Sequence, residues 1–274
     1  MTETTTADTA AVETMVASAP AANTQIVQTA PSAQQRCASP APENVALCEA
    51  EAAAILATTV RLELRRAPNA KRSTGHATIV AGRYLLTHNH FNLSLQEITD
   101  EFLGTLTVTN AQGKTLVDAA PFKAFDVLVA TPETLIFDFG PYGGVGLFGM
   151  LGLSSAQFDP QQAAQIRPGM EVAQVNWDGS TAHVDWVEVQ AVSEEHGVPV
   201  LILANFVEQG ASGGGVFYNG YHLGNNWFRS TVEAADGSVL QQYSVAAVNP
   251  AQGFANFDLV KATTATEITS NIGG

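Results

Sequence analysis

The stretch STGHATIVAGRYLLTHNHF, Ser73 to Phe91, decides the fold. Ala77-Thr-Ile-Val80 and Tyr84-Leu-Leu-Thr87 are two short apolar runs, and Gly82-Arg83 between them supplies a turn, so the stretch reads as a β-hairpin. Its second strand runs straight into His88, Asn89 and His90. A histidine placed just after a buried strand has the fixed position and near-neutral pKa that a general base needs.

The same β grammar extends outward. Thr59-Val-Arg-Leu-Glu-Leu64 alternates apolar and polar residues, the period of a half-buried strand. Thr105–Val108 and Thr115–Val117 flank the turn residues Asn110-Ala-Gln-Gly113 as a second hairpin. Ala124–Ala130 and Leu135–Phe137 continue the pattern, and the Gly-rich stretch Gly140 to Gly146 reads as a loop. A second set comprises Met170–Trp177, a turn at Asp178-Gly179, His183–Val192, Val198–Ala204, Val216–Tyr218, Tyr221–Trp227 and Tyr243–Val248. Leu47–Thr58 has the composition of a short helix, and Asp258–Ile268 reads as a closing C-terminal helix. Many short strands without long helices predict an all-β chain of antiparallel sandwiches or barrels.

Composition sets the bounds. The chain has 274 residues, 46% hydrophobic and 14% charged, which is too apolar for a disordered protein and long enough for a sizeable core. Acidic residues outnumber basic ones 26 to 12, giving a net charge of -14, which argues against nucleic-acid or anionic-membrane partners. No apolar run approaches the ~18 residues of a transmembrane helix. Residues 1–46 are rich in Ala, Thr, Pro, Gln and Ser, with no aromatic residue and no glycine, and are expected to form a flexible leader. As written, the N-terminus lacks the positive start and continuous apolar run of a secretory signal. Cys37 and Cys48 form either a small-loop disulfide or two idle thiols, and their spacing does not fit a structural zinc site.

The second chemical signal is Gln209-Gly-Ala-Ser212-Gly-Gly-Gly-Val-Phe217. Glycines on both sides of a serine permit backbone conformations that expose its hydroxyl and turn N–H groups toward one point. Those are the requirements of a nucleophile and its oxyanion hole.

Together the two segments resemble the chymotrypsin-like (trypsin-fold) serine peptidases over residues 55–265. Thr87-His-Asn-His90-Phe91 looks like the family's histidine turn, Gly210-Ala-Ser212-Gly-Gly-Gly its nucleophile loop, and Leu223-Gly-Asn-Asn-Trp227-Phe228 its later strand. The resemblance implies two antiparallel β-barrels, residues 47–155 carrying the histidine and acid and residues 156–274 carrying the serine. It implies a serine endopeptidase in which Ser212 attacks, His90 is the base, and the Gly210 and Ser212 N–H groups form the oxyanion hole. No cofactor or metal is implied; the partner is a peptide or protein substrate, the chain is a monomer, and export to a secreted or periplasmic location follows from the family alone.

Departures from the family pattern carry information. Ala211 stands where zymogen-type relatives have an aspartate that pairs with a freshly cut N-terminus, so this chain is closer to bacterial members. His88 is unusual within the turn, although His90 has the matching position. Three carboxylates compete for the triad acid: Glu133, Asp126 and Asp138, in that order, or the acid is lost. Glu133 lies 43 residues after His90 and 79 before Ser212, and it opens Thr-Leu-Ile-Phe, a strand two strands beyond the histidine turn if 105–108 and 115–130 each count as one. By resemblance Phe206, Asn226 and Trp227 line the first specificity pocket. Asn226 replaces the histidine of the glutamyl endopeptidases, so glutamyl specificity is not supported, and Phe206 favours a small or apolar side chain. Two rival readings are a catalytically inactive homologue acting as a binding module, and a metal hydrolase using His88-x-His90, two residues that share one face of an extended segment.

Overall fold

The computed structural model describes residues 37–93, 103–131, 133–195, 197–234 and 236–248. A helix, α1 (Val45–Ala57), precedes two antiparallel sheets. The first contains β1 (Thr59–Arg65), β2 (Arg72–Val80), β3 (Tyr84–His88), β4 (Thr105–Asn110), β5 (Thr115–Pro121), β6 (Asp126–Thr131) and β7 (Thr134–Asp138), in the order β5-β4-β1-β2-β3-β7-β6. The second contains β8 (Gln157–Phe158), β9 (Glu171–Trp177), β10 (Ala182–Glu195), β11 (Val198–Leu203), β12 (Gly215–Tyr218), β13 (Tyr221–Glu233) and β14 (Val239–Val248). Its order is β12-β9-β10-β11-β14-β13-β8, and a further β12–β13 pairing closes it into a barrel. The all-β class expected from the sequence is the class observed.

Strands β2, β3 and β7 are buried on both faces, which is why they read as unbroken apolar runs. Ile79, Leu85, Leu135 and Phe137 point into the first core with Leu62, Leu106 and Phe139. The intervening Val80, Leu86 and Ile136 point the other way, into a layer shared with Ala173, Val175, Ala211 and Phe217 of the second sheet. Each such side chain contributes ~1.5–3 kcal/mol of burial, so the two sheets are joined by apolar packing at the place where their chemical residues meet.

Several expectations change in detail. The stretch 115–130 is two strands, because Phe122–Ala124 forms a 3-10 turn between β5 and β6. Three strands therefore separate the histidine turn from β7. The Gly-rich stretch contains short helical turns, Gly140–Gly143 and Leu147–Met150. The β13–β14 hairpin runs beyond the expected ends, through polar residues whose exposed faces gave no apolar signal. Of the two cysteine alternatives the structure selects the disulfide, Cys37–Cys48 with Cα atoms 5.5 Å apart. It ties residues before α1 to α1 itself, and the Glu171 carboxylate on β9 accepts the N–H groups of Cys37 and Ala38, which joins the same residues to the second sheet. The rest of the expected leader, 1–36, and the expected helix 258–268 lie outside the described residues. No helix among the described residues is long and apolar enough to cross a membrane.

Candidate active site

The histidine turn is set by its neighbours in sequence. β3 ends at His88, opposite Thr134 of β7. The Asn89 N–H then donates to the Glu133 carbonyl at 2.8 Å, while the Asn89 side chain exchanges hydrogen bonds with the Leu93 N–H and carbonyl at 2.9 and 2.8 Å. Asn92, at φ +51°, completes this small loop in a conformation that asparagine tolerates better than most residues. The backbone carrying His90 is thereby fixed. Its ring stacks on Phe91 at 3.9 Å, and Nε2 lies 2.9 Å from the Thr74 carbonyl. Among the described residues no hydrogen bond joins His90 to Ser212, and its Nδ1 has no hydrogen-bond partner. Burial lowers the His90 pKa, and the carbonyls of Thr74 and His88 partly offset this.

Ser212 comes from the second sheet, at the loop leading into β12. Residues 208–211 form a β-turn closed by the Ala211 N–H to the Glu208 carbonyl at 3.1 Å. Gly210, third in the turn, has φ +103°, the conformation a type II turn demands and a side chain resists. Among the described residues the N–H groups of Gly210 and Ser212 have no protein acceptor. Ser212 is half-buried. Its carbonyl accepts the His76 N–H at 2.8 Å, which joins the loop to β2. Gly213 shows why a glycine follows: a Cβ there would run into the His76 carbonyl and Thr87 Oγ1.

Gly75 is where the two halves meet. A Cβ on it would collide with the His90 ring, Nε2 lying 2.6 Å away, and would sit 3.0 Å from the Ser212 carbonyl. The missing side chain at this position makes room for the histidine beside the serine loop.

The three candidate acids are distributed unequally. Across β3–β7, Asp138 pairs with Tyr84 and Thr134 with His88, so Asp138 sits at the end of the strand remote from the histidine turn. It ion-pairs with Arg83 at 3.3 Å and accepts the Gly140 N–H at 2.8 Å. Asp126 lies opposite Asp138 on β6, at the same remote end, and is exposed. Glu133 immediately precedes β7 at the His90 end, as the Asn89 hydrogen bond to its carbonyl records.

His88 is buried, stacks on Trp227 at 5.5 Å, and has its pKa pushed down to about 3 by burial, with the neighbouring His90 adding to the shift. Among the described residues no group of three or more His, Cys, Asp or Glu is arranged to hold a metal ion. Trp227 occupies a bulge in β13, between Asn226 paired with Ala246 and Phe228 paired with Val245, and the bulge turns its ring toward β3. Asn226 is fully buried. Its amide donates to the carbonyls of Val175 and Ala211 at 2.7 and 3.2 Å and accepts from Gln174 at 2.7 Å. Phe206 lines an open groove of about 490 Å³ with Asn176, Trp177, Asp178, Glu208 and Gln209, beside the Gly210 turn. The Arg229 guanidinium lies 4.5 Å over the Phe206 ring. A second cavity of about 200 Å³ lies under α1 and the disulfide, lined by Glu51, Glu171, Trp186 and Phe217.

Sequence reading missed His76, and it placed Asn225 with Asn226 and Trp227 at the specificity pocket rather than as a bridge between the sheets. Asn225 donates from one amide to the Leu86 carbonyl of β3 and the Gly213 carbonyl of the serine loop, at 3.2 and 2.8 Å, bridging the two sheets. The adjacent pair Asn225-Asn226 in an otherwise apolar strand was the available signal.

An antiparallel sheet with the histidine at the end of its third strand packs against a closed barrel with the serine at the start of a short strand. This is the arrangement of two packed β units that the sequence resemblance implies. The chain is similar in structure to the tobacco vein mottling virus protease, with a TM-score of 0.46 at 12% identity, over 73% of this chain and 81% of that one. It is also similar to the active form of the Rv3671c protease of M. tuberculosis, TM-score 0.46 at 17% identity, over 77% and 83% of the two chains. An inactive form of the same mycobacterial protein gives 0.44 at 14% identity, over 81% and 90%. No protein-family model and no curated protein matches this chain in sequence. Where the two sheets meet, the His90 ring and the Ser212 loop lie on either side of Gly75.

Proposed function

We propose that the chain is a serine endopeptidase with Ser212 as nucleophile, His90 as general base and Glu133 as the acid. The observation that carries this reading is the Ser212 loop. Among the described residues, its β-turn leaves the N–H groups of Gly210 and Ser212 without a protein acceptor, and Ser212 itself is half-buried. In the reaction, the His90 ring rotates away from the Thr74 carbonyl and takes the proton from Ser212 Oγ as that oxygen attacks the scissile carbonyl carbon. The C–O bond forms, the carbonyl oxygen takes the negative charge, and the two N–H groups stabilise it. His90 then protonates the departing amine, leaving an acyl-enzyme that water hydrolyses by the same steps in reverse order. Glu133, at the His90 end of β7, holds the Nδ1–H tautomer and stabilises the imidazolium.

The substrate lies along the groove containing Phe206 and Trp177. Phe206, Asn226 and Trp227 build the first specificity pocket, with Asn226 acting through its hold on the Ala211 carbonyl. The net charge of -14 disfavours acidic peptides, and raising the salt concentration should narrow that bias. The test is labelling by a fluorophosphonate, followed by cleavage of a fluorogenic peptide library. Labelling that disappears in both Ser212→Ala and His90→Ala supports the reading. Folded wild-type protein that neither labels nor cleaves removes it and leaves the inactive binding module.

A further inference from the structure

Among the described residues, His76 is the one histidine whose ring and backbone both reach the serine loop. Its side chain is fully buried, yet it comes from the first sheet, and its ring Nδ1 lies 2.9 Å from the Gly210 carbonyl, 134 residues away in sequence. Its N–H donates to the Ser212 carbonyl at 2.8 Å, and its own carbonyl accepts from Thr87 Oγ1 at 2.6 Å. The ring rests on Trp177 at 5.2 Å, and the Trp177 indole in turn lies 3.0 Å from where a Cβ on Gly210 would be. Arg61, the cross-strand partner of His76, lies 4.0 Å over the other aromatic member of this group, Trp177.

These contacts determine the state of the ring. Burial, with Arg61 acting in the same direction, pushes the His76 pKa down to about 4, so the imidazole is neutral at neutral pH. A neutral ring has a single N–H. Facing a carbonyl, Nδ1 must carry it, and Nε2 has no hydrogen-bond partner among the described residues. The other tautomer, with the proton on Nε2, would place a bare acceptor against the Gly210 carbonyl.

We propose that His76 is a positioning residue that sets the oxyanion hole by fixing two peptides of the serine loop, 210–211 through the Gly210 carbonyl and 212–213 through the Ser212 carbonyl. This assignment rests on the serine endopeptidase reading. The 209–210 peptide of a type II turn can flip over, which replaces the Gly210 N–H at the hole by a carbonyl oxygen and takes Gly210 to negative φ. Holding the Gly210 carbonyl from one direction and the Ser212 carbonyl from another opposes that flip. The device acts on backbone geometry needed when charge develops on the substrate oxygen, so it affects the transition state more than substrate binding.

The experiment compares His76→Leu, which keeps bulk at the δ position without a donor, with His76→Asn, whose Nδ2 stands at the same number of bonds as Nδ1. The expected result is a fall in kcat of about 30- to 100-fold for His76→Leu with KM within about twofold, and recovery to within about tenfold of wild type for His76→Asn. The rate of fluorophosphonate labelling should fall in parallel, because that reagent also places an oxygen in the hole. Wild-type kcat in His76→Leu, or an equal loss in both variants with KM rising in step, overturns the assignment. Nitrogen-15 NMR of the wild-type ring tests it without any variant: the Nδ1–H tautomer is expected at neutral pH, and the Nε2–H tautomer overturns it. A wild type that neither labels nor cleaves removes the peptidase reading and this assignment with it, whereas a labelling wild type with an equally reactive His76→Leu removes the assignment alone.

Discussion

The serine loop is held from three directions, while the histidine ring beside it is held by packing on one ring and by one carbonyl. His76 grips the Ser212 carbonyl, Asn225 the Gly213 carbonyl and Asn226 the Ala211 carbonyl, and backbone bonds between Gly213, Gly214 and Asn226 complete the clamp. At His90 the backbone is equally firm, but the ring is held by packing on Phe91 and by the Thr74 carbonyl at Nε2, with no side chain donating to or accepting from it among the described residues. One half of the site is therefore organised in its backbone, whereas the other depends on a side-chain rotation, which occurs far faster than turnover. On the proposed peptidase reading, the charge-stabilising groups are in place before substrate arrives, and the base must be drawn into place.

Substitutions can break this contrast. The largest effects are expected from Ser212→Ala and His90→Ala, each lowering kcat by about 10⁴-fold or more with the melting midpoint little changed. A Gly213→Ala change should come next. At φ +78° its methyl would run into the His76 carbonyl and Thr87 Oγ1, so urea denaturation should show a loss of about 2–4 kcal/mol together with lost activity. Normal stability in that variant would mean that the clamp is looser than the contacts indicate.

The carboxylates sharpen the other half. Glu133→Gln should cut kcat by about 10²- to 10⁴-fold, because the histidine ring loses the group that draws and orients it. Asp126→Asn should leave kcat within about twofold. Asp138→Asn should also leave kcat near wild type while costing at most about 1 kcal/mol of stability, from the half-exposed pair with Arg83. A kcat loss in Asp138→Asn comparable to that in Glu133→Gln would contradict the arrangement along β7.

Buried histidines make the fold acid-sensitive. His76 is pushed down to about 4, and His88 and His222 to about 3, in each case chiefly by burial. The unfolded chain takes up these protons near pH 6.5 and the folded chain only near pH 3–4. Stability should therefore be constant above pH 6.5 and fall as pH drops through that window, by about 1.4 kcal/mol per unit for each histidine. Denaturation midpoints measured from pH 8 to 3.5 check this. Because the His90 pKa is also lowered, the acid limb of kcat/KM should lie below pH 6.5. The smallest effect on activity belongs to the disulfide. Cys37→Ser with Cys48→Ser should lower stability by about 2–3 kcal/mol and leave kcat unchanged, since the bridge borders the cavity under α1, which shares no lining residue with the Phe206 groove.

Much of this was legible one segment at a time. The Ala77–Val80 and Tyr84–Thr87 hairpin, the Gly-rich serine loop and the helix near Leu47 are local patterns, and the structure places elements at each. Glu133 was placed first on a count of two separating strands, which the structure raises to three; its position at the His90 end of β7 comes from the β3–β7 register. His76 was not legible as anything more than part of the hairpin. In sequence it is one polar residue in an apolar strand, and only the register that faces it with Arg61 and the packing of β2 on the serine loop give it a task. Asn226 read as a pocket residue because its position matched, yet its amide is used by Gln174, Val175 and Ala211, groups far apart in the chain.

The sequence by itself determined the strands, the turns that demand glycine, and the two segments that carry the chemistry, because periodicity and backbone strain are properties of neighbouring residues. Tertiary structure decided which carboxylate stands at the histidine end of β7, whether the cysteines are joined, and what holds the serine loop. Those outcomes depend on cross-strand register and on the packing of one sheet against another, which bring together residues more than a hundred positions apart.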